Sequence, residues 1–161
     1  MRVKSALNLG LAIATAGSAT ALVLVPGPTQ ASSPDLIRAE LLPSQTTFTQ
    51  IGGALPGGAP WVIDRGEVRV RADGRMDVSI MGLQIPAMDG SESNPVASVN
   101  AVLYCGGAQA ADSGPQPLSV PGGDARFRVE LAVPETCDAA AVLISPTAAV
   151  GVRYIAFTPV L

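Results

Sequence analysis

Histidine is absent from this 161-residue chain, and its only lysine is Lys4. Both gaps remove chemistry. Without imidazole no Ser-His-Asp or Cys-His arrangement can form, and a zinc site would lack its commonest nitrogen ligand. A Ser-Lys dyad has no lysine to use beyond residue 4. Charged residues make up only 14% of the chain; no large field is expected, and charge should serve solubility. No P-loop or dinucleotide fingerprint is present: GGALPGG at 52–58 has glycines but neither a lysine nor a following helix. Helical periodicity is also missing beyond the N-terminal segment, where no stretch keeps apolar residues at three- and four-residue spacing over three turns.

What is present begins with a targeting pattern. Arg2 and Lys4 precede an uncharged run from Ala6 to Val25, then Pro26, Pro28 and the small-residue ending Thr29-Gln30-Ala31. That order of features predicts a secretory signal peptide over residues 1–31, cleaved after Ala31. The apolar run is about 20 residues, also long enough to span a bilayer, so an uncleaved anchor is the alternative. Residues 32–161 then form one domain, large enough for a single core. They carry eight arginines against thirteen acids, a formal charge of −5. Nucleic-acid binding needs a basic footprint, so no nucleic-acid partner is expected. The two cysteines, Cys105 and Cys137, read as one disulfide in an exported chain.

Short alternating or apolar runs separated by Gly, Pro, Asp and Ser predict strands at 36–42, 66–71, 75–82, 97–105, 117–120, 125–133, 140–145 and 151–158. That density implies an all-β fold: an antiparallel two-sheet β-sandwich of about seven or eight strands. AAVLI at 140–144 is continuously apolar, as in a strand covered on both sides.

RGEVRVRADGRMDVSI at 65–80 holds four arginines, and its register can be derived. A two-residue Asp73-Gly74 turn would put Val70 opposite Asp77, mixing apolar and charged residues on one face. A three-residue loop, Ala72-Asp73-Gly74 with Gly74 left-handed, sets Val70 against Met76, Val68 against Val78 and Gly66 against Ile80. The other face pairs Arg69 with Asp77 and Glu67 with Ser79. The arginines are then the solvated face of a half-buried hairpin, with a face for an acidic ligand as the sharper reading. The same alternation puts Phe127, Val129 and Leu131 on one side of their strand, and turns Cys105 inward with Val99, Ala101 and Leu103.

PWVI, GEVRVRADGR, GLQIP, NPV, GDARF and the two cysteines form a combination over residues 57–158. It resembles a group of exported β-domain proteins of high-GC actinomycetes. The resemblance implies export and a compact β domain, and brings no activity, cofactor or site residue with it.

The remaining candidates are few. Asp112-Ser113-Gly114 matches the D-[ST]-G of aspartic proteases, which need two such aspartates. Here it precedes Pro115 without apolar strands to bury it, which predicts a turn. Asp89, Ser91, Glu92 and Asn94, in the polar loop 86–96, cluster oxygen atoms. Calcium accepts such oxygens, but the EF-hand spacing is absent, and a solvated turn fits better. Trp61 could stack on a sugar; after GGAP it reads as a core plug. Tyr154 and Phe157 should alternate to opposite faces of the last strand. No catalytic residue, cofactor or metal is expected.

The expectation is an exported, non-enzymatic binding or interaction module. It would be secreted or lie on the outer face of the cell envelope, and off the membrane after cleavage. It is expected to be monomeric, with an unidentified macromolecule or envelope component as partner. Loop 86–96, through Asp89, Ser91, Glu92 and Asn94, is the expected contact, since loops on rigid sandwiches carry contacts. Two rivals are a small secreted inhibitor or ligand carrier, and a dimeric aspartic-type hydrolase built on Asp112.

Overall fold

The computed structural model describes residues 33–48 and 50–160; the segment read as a signal, 1–31, lies outside them. The strands in chain order are β1 (Asp35–Glu40), β2 (Leu42–Pro43), β3 (Leu55–Pro56), β4 (Arg65–Arg71), β5 (Arg75–Met81), β6 (Ile85–Pro86) and β7 (Glu92–Ser93). After them come β8 (Ser98–Cys105), β9 (Ala108–Asp112), β10 (Gln116–Pro117), β11 (Ala125–Glu130), β12 (Ala141–Pro146), β13 (Arg153–Tyr154) and β14 (Ala156–Phe157). The fold is all-β. No helix among the described residues is long and apolar enough to cross a membrane.

Two antiparallel sheets make the sandwich. One has four strands in the order β1-β4-β5-β11; the other runs β10-β8-β12-β14-β2, with β9 also on β8. The hairpin β4–β5 adopts the derived register: Val70 faces Met76, Val68 faces Val78, Gly66 faces Ile80 and Arg69 faces Asp77. Gly74 sits at φ +91°, where a side chain is disfavoured. The Gly74 carbonyl also accepts from Leu131 N at 2.8 Å, so the turn is anchored to the end of β11.

The principal core lies between the sheets. Ile37, Val68, Val70, Met76, Val78 and Ile80 supply one side; Val99, Ala101, Leu103, Val142 and Ile144 supply the other. Cys105 and Cys137 pack against it and are joined as a disulfide. Trp61 is 4% exposed within this core, too enclosed to stack on a sugar. Gly57 lies against its indole: a Cβ there would come within 2.8 Å of Trp61 Nε1.

A second, smaller cluster covers the outer face of the larger sheet, formed by Ala54, Val102, Tyr104, Leu143 and Tyr154. Strand β12 is therefore buried on both faces, as its apolar run implied. The Gly/Pro segment 51–60 thus does more than connect. It folds over Tyr104, with Gly52 so close that a Cβ would meet the ring at 2.2 Å. The last predicted strand, 151–158, departs from expectation. It breaks at Ile155 into β13, parallel to β3, and β14, between β12 and β2. The break undoes simple alternation: the Tyr154 and Phe157 rings meet edge-to-face at 5.5 Å.

Candidate binding surface

The outward face of the four-stranded sheet gathers the charge of this domain. Strand pairing aligns Arg38, Arg69, Asp77 and Arg128 in one row, and Glu40, Glu67, Ser79 and Arg126 in the next. Arg65, Arg71 and Arg75 occupy the same side of β4 and β5. Seven of the eight arginines beyond residue 31 thus share one face, with Asp35, Glu40, Glu67, Asp77 and Glu130. Seven cations against five acids leave this face at +2. The rest of the domain has Arg153 against eight acids, −7. Alternation along each strand causes the first separation, since the valines must take the core side; sheet order then brings four such polar sides together.

The ion pairs are unevenly distributed. Asp77 is the hub, paired with Arg128 and lying 3.9 Å from Arg71. Arg69 Nε donates to Asp35 Oδ1 at 2.7 Å, and Arg75 lies 3.5 Å from Glu130. The hydrogen bond to Asp35 raises the Arg69 pKa against the opposing effect of desolvation, and the charges of Asp35 and Asp77 add to the rise. Arg38 on β1 and Arg126 on β11 have no ion pair or hydrogen-bonded side-chain partner among the described residues. They stand on opposite edge strands of a concavity of about 720 Å³ that also includes Glu67, Ser79 and Asp77. Exposed pairs of this kind add little to stability, so the ladder is available for contact at small cost to the fold.

The loop 86–96 is partly a hairpin. Ile85 pairs with Ser93 and Pro86 with Glu92, and Ala87 N donates to Ser91 O at 2.8 Å. Asp89 Oδ1 accepts from Ser91 N at 2.9 Å and from Ser91 Oγ at 2.6 Å. Those bonds, the Ser91 hydroxyl first, hold the Asp89 pKa below the ordinary carboxylate value. Asp89, Ser91 and Glu92 are exposed, and Met88 stands fully out at the tip. Asn94 differs: it is 1% exposed. Its Nδ2 donates to Val96 O and Ser119 O at 2.6 and 2.8 Å, and its Oδ1 accepts from Val96 N at 2.8 Å. The amide is consumed inside the protein, so Asn94 cannot meet a partner together with the exposed three.

Asp112-Ser113-Gly114 is the kink between β9 and β10, which flank the same side of β8. Asp112 Oδ1 accepts from Asn100 Nδ2 at 2.7 Å and Gly114 N at 2.8 Å. Ser113 Oγ accepts from Ala101 N at 2.8 Å and donates to Gly114 O at 2.7 Å. Both side chains are engaged in closing the turn. Among the described residues no group of three or more Cys, Asp or Glu is placed to hold a metal. No protein-family model, curated protein or solved structure matches this chain.

Proposed function

We propose that this protein is an exported, non-catalytic binding module that holds an anionic component of the cell envelope on the outward face of the four-stranded sheet. One observation carries the reading: seven arginines share that face, while the remainder of the domain is strongly acidic. Arg38 and Arg126 have no ion-pair partner among the described residues and can take carboxylate or phosphate groups bidentately. The interspersed acids favour a ligand that also presents hydroxyl or amine donors, such as an acidic glycan. Export is supported by the targeting pattern of residues 1–31, by the disulfide and by the resemblance to exported actinomycete proteins. The tip of the β6–β7 hairpin is a second contact region, supported by the exposure of Met88, Asp89, Ser91 and Glu92.

Binding to an acidic envelope polysaccharide, measured by calorimetry at two salt concentrations, tests this. Arg38→Ser with Arg126→Ser should weaken binding about tenfold and flatten its salt dependence. Asp89→Ala with Glu92→Ala should leave it within about twofold if the sheet face is the main contact. Unchanged affinity in the arginine variant would remove the sheet face from the proposal.

A further inference from the structure

Strand β11 is an open edge. Its six residues pair with β5 on one side only, and among the described residues no backbone hydrogen bond reaches its other side. Alternate N–H and C=O groups therefore point outward, a template for another strand. The other edges are closed to such use. β1 carries an irregularity between Asp35 and Ile37, β9 and β10 are separated by the Ser113-Gly114-Pro115 kink, and β2 spans two residues. β11 has neither bulge nor proline.

We propose that β11 pairs antiparallel with β11 of a second copy of this chain, about a two-fold axis through Arg128. Parity, overlap and charge select that register: β11 ends at Glu130, so centring on Val129 would leave only three residues of each strand paired. Facing residues in an antiparallel pair share a side of the sheet, so Arg126, Arg128 and Glu130 must face one another. Centring on Arg128 sets Arg126 against Glu130 of the second copy, and the symmetry repeats the pair. Phe127 then meets Val129; both are half-buried on the core side, and the joint extends the core across the axis. Centring on Phe127 would instead oppose Arg126 and Arg128 twice, which is destabilising. Arg128 meets its own copy on the axis, but each is already neutralised by Asp77 of its own sheet. Arg126, without an ion pair among the described residues of its own subunit, gains a carboxylate; Glu130 is 68% exposed and 3.5 Å from Arg75, with oxygen capacity to spare.

The axis stands perpendicular to the sheet, so both arginine faces lie on the same side and become continuous. This departs from the monomer expected from the sequence. It does not depend on the proposed ligand, although it engages Arg126 of the proposed ligand face and leaves Arg38 free. It also keeps the two Asp112 residues apart, since Asp112 lies on the other sheet.

Sedimentation of the whole protein, purified from the cells that make it, over a concentration series tests the pairing. One short edge is small beside a standard interface of roughly 1,600 Å², so reversible dimerisation in the micromolar range is expected. Arg126→Glu opposes acids on both sides of the axis and should weaken dimerisation about tenfold. Adding Glu130→Arg to that variant rebuilds opposite-charge pairs and should restore the dimer, which a mere folding defect would not allow. A natural protein that stays monomeric into the millimolar range overturns the proposal. So does a dimer indifferent to Arg126→Glu, or a folded double variant that fails to recover.

Discussion

Asn94 shows how the same residue type can be read two ways. In DGSESN it looks like one more exposed oxygen, but its amide closes a turn onto Val96 and reaches across to Ser119. The Asn-Pro pair was the available sign, since it favours turn initiation; nothing local announced the partner 25 residues away. Asn94→Ala removes three hydrogen bonds to partly buried backbone groups and should cost about 1–3 kcal/mol. Asp89→Ala, at an exposed turn, should stay within about 0.5 kcal/mol. Urea unfolding of the two variants separates them; equal small losses would mean that the Asn94 bonds contribute nothing to the folded state.

Among the elements, the β4–β5 hairpin was fully legible. Its register depends on a three-residue turn and on valines that must share a face, and both are local facts. Gly74→Ala is correspondingly costly. At φ +91° the new methyl would meet Leu131 O at 2.2 Å, so a loss of about 2 kcal/mol is expected. A shift in urea midpoint smaller than about a quarter of that would contradict the turn geometry. Strand β9 was not legible. AQAAD has no β-branched residue, and it is ordered by pairing with β8 and by the Asn100–Asp112 hydrogen bond. The two-residue strands β3, β6 and β7 likewise exist only because a partner segment arrives beside them.

For the whole domain, the second cluster makes a pH prediction. The chain has two tyrosines, Tyr104 and Tyr154, both buried in it. Burial raises the pKa of each, with the Asp112 charge adding to the effect at Tyr104. Above the ordinary phenol value of about 10, the unfolded chain releases protons that the folded domain keeps. Stability is then complete below that pH and falls as pH rises toward the folded-state values. Tyrosinate absorbance should appear late and together with unfolding. Ionisation of either phenol at its ordinary pH in the folded protein would refute the enclosure of this cluster.

The all-β character, the hairpin register, the inward Cys105 and the doubly covered strand at 140–144 were determined by the sequence itself. Each follows from the two-residue side-chain period and from turn chemistry acting over a few neighbouring residues. The tertiary structure alone decided that the polar sides of β1, β4, β5 and β11 share one face, that β11 is left open, that Asn94 turns inward and that the last strand breaks at Ile155. Those outcomes depend on which strands become neighbours. That choice is made by burying a common core between segments far apart in the chain, and no local pattern encodes it.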